Sequence, residues 1–187
     1  MKITDTFDVE REVASVWALF EDVPELASCL PGAELTDDHG DGRFSGKVEA
    51  KLGPITASFD GDATVESDAV SHTGTCSGKG VDRRGGSRAQ LKLTYALEPI
   101  PTGTRVTVDA DVVLSGAAAQ FGRVGLLKEI TGRIIGEFVR CVEAKLAAPT
   151  PEAAAAVHAP EVKGLSLFLR SLVAPITRFV KKLFGRD

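Results

Sequence analysis

The sequence predicts an α+β domain in which a curved antiparallel sheet is crossed by one long helix. Three observations point there. Between Gly32 and Ser115 short alternating stretches are divided by Gly, Pro and Asp; Gly116 to Leu146 then runs without proline in helix formers; and the apolar strand faces are crowded with Gly and Ala.

Residues 2 to 10 alternate with a period of two, Ile3, Phe7 and Val9 standing among polar neighbours, which predicts a strand. From Arg11 the period lengthens: Val13, Val16, Trp17 and Phe20 share one helical face until Asp22 and Pro24 break the run. Pro24 to Cys29 makes a further short helix. Strands follow at about 32–38, 42–52, 55–67, 69–79, 85–98 and 103–115, joined by connections as short as HGDG, GP and PTG. Such connections suit antiparallel neighbours in a meander. On the last element Leu127, Ile130, Ile134, Phe138 and Cys141 fall on one arc, which needs a sheet beneath it.

Alternation places Phe44, Gly46, Val48, Ala50 and Leu52 on one inward face, then Ile55, Ala57, Phe59, Gly61, Ala63 and Val65, then Ala89, Leu91, Leu93, Tyr95 and Leu97. A packed interior must be filled to a density of about 0.74. Small residues at many of these positions, in a chain with 6% aromatics, predict an apolar hollow under the helix. The competing reading is a helix settled closer to the sheet. The expected ligand-lining residues are Phe44, Val48, Leu52, Ile55, Ala57, Phe59, Gly61, Leu91, Leu93, Tyr95, Val108, Leu127, Ile130, Ile134 and Phe138. The Tyr95 hydroxyl either orients a ligand carbonyl or reaches water or backbone as an ordinary core tyrosine.

Charge divides the chain. Glu161–Asp187 carries six Lys/Arg against two Asp/Glu, so the preceding residues are strongly acidic within an overall net charge of −4. An acidic body repels nucleic acid, whose binding rests on neutralised phosphates, and that class is set aside. Cys29, Cys76 and Cys141 are odd in number and far apart, which argues against a disulfide framework or zinc knuckle and favours a reducing compartment. The start holds Asp5, Asp8, Glu10 and Glu12 and no apolar core of a leader, so a cytoplasmic protein is expected. His39, His72 and His158 form no ligand pattern and read as surface residues. GxSxG, HExxH and Walker A motifs are missing, and no catalytic residue or metal site is assigned.

Two further features invite a reading. GKGVDRRGG, from Gly78 to Gly86, reads as a flexible hairpin, with a gate or docking loop as the alternative. In the long helix Gly122, Gly125, Gly132 and Gly136 form a row away from the apolar arc, where either another backbone approaches or the helix is locally flexible.

Val16 to Gly32, VWALFEDVPELASCLPG, resembles the signature of the CoxG family of carbon monoxide dehydrogenase subunits. LGPITASFDGDA from Leu52, GVDRRGGSRA from Gly80, GTRVTVDADVVLSG from Gly103 and AQFGR from Ala119 follow in order, so the resemblance covers about Met1 to Leu146. It implies the helix-grip fold of the START and Bet v 1 superfamily. It also implies a non-catalytic, cavity-bearing accessory protein of molybdenum-containing carbon monoxide dehydrogenase, with roles in membrane recruitment, lipophile or quinone binding, or assembly. Only structural positions carry over: Trp17, Cys29, Pro31 and Gly32 at the helix-to-strand turn, Gly53 and Pro54 at a hairpin, and Gly85 and Gly86 in a loop.

Beyond the domain of residues 1–146, the Ala/Pro-rich stretch 147–163 reads as a linker and tether. In 164–187 Leu165, Phe168, Leu169, Leu172, Ile176, Phe179, Val180 and Leu183 form one apolar stripe, opposite Arg170, Arg178, Lys181 and Lys182. Arg170 and Arg178 leave no span long enough to cross a bilayer, and Pro175 kinks the helix. The segment is therefore expected to lie on a membrane, with folding back onto the body or a partner interface as the alternative. The functional expectation is a protein peripheral on the inner face of the cell membrane that binds a lipophile reversibly, has no covalent cofactor, and serves a molybdenum carbon monoxide dehydrogenase. The inferred cargo is a respiratory quinone such as menaquinone, because the enzyme's electrons must reach a lipid-soluble acceptor. A cargo-free anchor or assembly factor is the alternative, and an aromatase-like or cyclase-like enzyme is a remote third.

Overall fold

A computed structural model describes residues 1–52, 55–82, 84–123 and 126–159, with side chains described at all of these except 50–52, 55–56, 120–123 and 126–131. Strand β1 (Lys2–Val9) leads into helices α1 (Val13–Glu21) and α2 (Val23–Ala27), then strands β2 (Ala33–Gly40), β3 (Arg43–Leu52), β4 (Ile55–Asp68), β5 (Thr73–Asp82), β6 (Ser87–Ile100) and β7 (Gly103–Ser115). A 3-10 turn over Gly116–Arg123 precedes the long helix α3 (Leu126–Ala147), and a short helix α4 (Pro151–Ala155) follows it. The expected α+β meander is realised. All seven strands form one antiparallel sheet in the order β1-β7-β6-β5-β4-β3-β2.

Local chemistry sets the breaks. Asp22 accepts a hydrogen bond from the Glu25 amide and Pro24 stands in the first turn, so α2 starts afresh after α1. Asp68 accepts from the Val70 and Ser71 amides, and His72 takes a positive φ of 49°. That turn delays β5 to Thr73, where the sequence suggested a start at 69. Strand β5 also continues to Asp82, whose carboxylate accepts from the Arg84 and Gly85 amides. Gly78 to Asp82 is therefore paired strand and not the flexible hairpin expected there. The expected hairpin positions Gly53 and Pro54 lie outside the described residues, as do Arg83 and Gly125. At Gly132 and Gly136 an added Cβ would meet nothing within 4 Å, so no described backbone approaches that helix face.

The cysteine expectation is overturned. Cys29 and Cys141 form a disulfide across a separation of 112 residues, with Cα atoms 5.3 Å apart. Cys29 follows α2 and Cys141 faces inward from α3, so the pairing exists only once α3 lies over the sheet. Spacing along the chain carried no sign of it. Cys76 is the unpaired thiol that makes the count odd, and the cysteine argument for a reducing compartment falls.

The linker expectation also needs correcting over 148–159. Thr150 caps α4 by accepting from the Ala153 amide. The Lys145 ammonium, 2% exposed, binds the Glu25 carboxylate of α2 and donates to the Ala154 carbonyl at 3.0 Å. The Ala159 amide then reaches the Ser28 carbonyl at 3.0 Å. Val157 and Leu146 pack on the core. Polar capping and a few apolar anchors order this Ala/Pro stretch without any hydrophobic period. The expected membrane segment, Leu165 to Leu183, lies outside the described residues. Among the described residues no helix is long and apolar enough to cross a membrane.

Candidate ligand-binding trough

Pairing fixes which side chains share the concave face. Tyr95 lies between Gly74 and Val108, and Val108 opposite Asp5; one step along, Leu93 lies between Cys76 and Ala110. Further along, Leu91 pairs Gly78 and Val112, and Ala89 pairs Gly80 and Leu114. Across the remaining strands Gly61 pairs both Gly46 and Gly80, Ala63 pairs Phe44 and Gly78, and Phe59 pairs Val48. Where side chains are described, the inward sets read from alternation share one face; those of Ala50, Leu52 and Ile55 lie outside the description. The β5 contribution, Gly74, Cys76, Gly78 and Gly80, went unread because glycine at alternate positions gives no hydrophobic period.

These glycines shape the sheet. A Cβ on Gly61 would overlap the Lys79 carbonyl of β5, and one on Gly46 would come 2.8 Å from the Glu34 carbonyl of β2. The strands bend so closely here that only glycine fits. Gly78 differs: a Cβ there meets the Asp62 carbonyl at 3.6 Å, Leu91 at 3.9 Å and Ala63 at 4.0 Å, all ordinary contacts.

The trough has a filled end and a sparse end. At the filled end Val9, Val16, Trp17, Phe20, Cys29, Tyr95, Leu97, Val106, Cys141 and Val142 form the buried cluster. Phe138 belongs here, edge-on to Phe7 and Phe20 at centroid distances of 6.0 and 6.3 Å. At the sparse end Phe44 and Ala57 are buried, while Phe59, Gly61 and Leu91 are half-buried; Leu93 and Val108, also half-buried, pack against the filled end. Val48 is 47% exposed despite facing inward, and Ile134 on the helix is 37% exposed. The side chains of Leu52, Ile55, Leu127 and Ile130 lie outside those described. A hollow of about 550 Å³ lies against the outward face of the same strands, lined mostly by polar residues such as Glu66, Thr75, Thr94 and Asp109 and also by Gly74, Tyr95 and Ala96.

Within the filled end, Tyr95 Oη and Trp17 Nε1 are buried without a hydrogen-bond partner. The Tyr95 ring lies over Gly74, occupying the place a side chain there would need. Its ring centroid is 5.3 Å from Phe20 and 6.3 Å from Trp17, whose indole packs on His72 at 5.2 Å. His72 is thus half-buried against an aromatic ring, unlike the surface residue expected. Burial, with the neighbouring Cys76 and Glu21 charges adding, pushes the Tyr95 phenol up, so it remains a donor. Burial raises the Cys76 thiol as well.

A bent seven-stranded antiparallel sheet gripping a C-terminal helix defines the helix-grip, Bet v 1-like class. Solved structures of similar fold include a conserved protein from Geobacillus kaustophilus, with TM-score 0.67 and 16% identity over 79% of this chain and 95% of that one. The Zhui aromatase/cyclase from Streptomyces sp. R1128 has TM-score 0.56 and 13% identity over 78% and 93%. Ara h 8.0201 has TM-score 0.52 and 14% identity over 78% and 97%. At such identities the likeness is one of fold. No curated protein matches the chain by sequence. The CoxG family of carbon monoxide dehydrogenase subunits matches residues 6–147, and the chain belongs to it. That family is one of accessory subunits and not catalytic ones.

Proposed function

We propose that this protein is a non-catalytic carrier that holds a hydrophobic ligand, a respiratory quinone such as menaquinone, in the trough and moves it between the membrane and a molybdenum carbon monoxide dehydrogenase. The observation that carries this reading is the sparse end: inward Val48 and the helix residue Ile134 remain partly exposed, beside Gly78, where an added Cβ meets only ordinary contacts. Family membership supports the dehydrogenase as partner. The amphipathic sequence from Leu165 to Leu183, with Lys181 and Lys182, supports a peripheral site on the inner face of the cell membrane. Protein purified without detergent is expected to release a lipophile on solvent extraction, seen also as an added mass under native ionisation. Protein that emerges empty and takes up neither menaquinone nor ubiquinone would refute the carrier reading.

A cargo-free anchor is the second reading, favoured by a tail sequence whose amphipathic pattern is independent of the trough. Removing 164–187 ends membrane recruitment under both readings. Filling the trough separates them, and Gly78→Leu is the better choice, because any side chain at Gly61 strikes backbone. Under the carrier reading Gly78→Leu lowers electron transfer to quinone; under the anchor reading it leaves it unchanged.

A further inference from the structure

Tyr95 and Trp17 present two buried donors, an O–H and an N–H, with nothing among the described residues to accept from them. A buried unpaired donor costs about 1–3 kcal/mol, and phenylalanine at Tyr95 would fill the same space over Gly74 without that cost. The two rings share one aromatic cluster, with Phe20 against Tyr95 and Phe138 against Phe20. We propose that Tyr95 Oη and Trp17 Nε1 form the polar anchor of the trough, donating to acceptor oxygens on the head of the bound lipophile. This inference rests on the carrier reading above.

The chemistry of the surroundings narrows the head group. Two donors want a ligand that offers acceptors. Among the described residues the buried ammonium, Lys145, is already taken by Glu25 and the Ala154 carbonyl, so it is not free to balance a carboxylate or phosphate. Burial of both donors itself disfavours an uncompensated negative charge beside them. A neutral carbonyl head therefore fits: a quinone, ketone or ester, held flat among aromatic rings with its oxygens toward the donors. A fatty-acid carboxylate does not fit.

The test uses the full chain stripped of lipid, with Trp17, the single tryptophan, as fluorescence reporter. Three probes are titrated: a short-chain prenylated naphthoquinone, the matching prenylated naphthalene without carbonyl oxygens, and palmitate. Wild-type protein is expected to bind the naphthoquinone at least tenfold more tightly than the other two. Tyr95→Phe is expected to weaken naphthoquinone binding about 5- to 30-fold, leave the naphthalene unchanged, and raise the melting temperature of the empty protein by about 2–4 °C. The anchor is overturned if naphthoquinone and naphthalene bind wild-type protein equally, if Tyr95→Phe weakens both alike, or if it lowers the melting temperature of the empty protein, which would make the hydroxyl structural. If no probe binds, the carrier reading fails first and the anchor with it.

Discussion

The two ends of the concave sheet face are built from different side chains and held by different forces. At one end Val9, Val16, Val106 and Val142 are completely buried, the disulfide joins Cys29 to Cys141, and Lys145 and Glu25 pin α3 and α4 to α2. At the other end Gly46, Gly61, Gly78 and Gly80 line strands held chiefly by their own ladder of hydrogen bonds. The disulfide, the Lys145–Glu25 pair and the buried cluster thus hold the C-terminal half of α3 to the sheet by contacts that do not depend on how the other end is filled.

The sharpest way to break this contrast is to cut the cross-link. A disulfide closing a loop of this length stabilises by about 3–5 kcal/mol through the unfolded chain. Replacing both Cys29 and Cys141 with serine should lower the unfolding free energy by about that amount, and reduction of the native protein should match it. Guanidinium denaturation with and without dithiothreitol measures both. Equal midpoints for oxidised and reduced protein would show that the filled end stands on packing alone.

The same contrast explains what could be read in the sequence. Strand faces were legible wherever apolar residues alternate, so the inward positions of Phe44, Ala57, Leu91 and Tyr95 emerge directly. The β5 face was not, because a side chain that is absent leaves no period. Cys29 and Cys141 meet through tertiary packing across 112 residues, which no local pattern encodes. Residues 148–159 read as linker in the sequence because a single capping threonine, a backbone carbonyl and one lysine order them, each weak as a sequence signal. For Tyr95 the inward direction was visible, but the want of an acceptor depends on every neighbour at once.

Glycine positions at the sparse end offer a medium-sized test. Gly61→Ala must displace the Lys79 carbonyl and is expected to cost about 1–3 kcal/mol. Gly78→Ala meets only ordinary contacts at a φ open to any residue, and stiffening the unfolded chain should make it neutral or more stable by up to about 1 kcal/mol. Thermal melts of the two variants separate a glycine needed for curvature from one whose neighbours stand at ordinary distances. If Gly78→Ala loses as much as Gly61→Ala, the interior beside Leu91 and Ala63 is already full.

The smallest expected effect is one of acidity, and it too should fall on one end. Asp8 is held below the usual carboxylate range by its hydrogen bonds from Arg105, at 2.8 and 2.9 Å. Asp68 is held low first by the Val70 amide, then by Ser71. A carboxyl depressed in the folded state adds stability that is complete above the ordinary aspartate range and disappears as pH falls through the lowered value. Both groups are fully exposed, so solvent and salt screen the contribution and it should be slight. Both also sit at the filled end, Asp8 beside Val9 and Asp68 in the turn that sets His72 against Trp17. Lowering the pH from 5 to 2.5 should therefore speed amide exchange at Val9 and Val106 more than at Leu91 and Ala63, once intrinsic rates are divided out. Equal acceleration at both ends would mean that the sheet opens as a single unit and that the filled end gives the sparse end no separate protection.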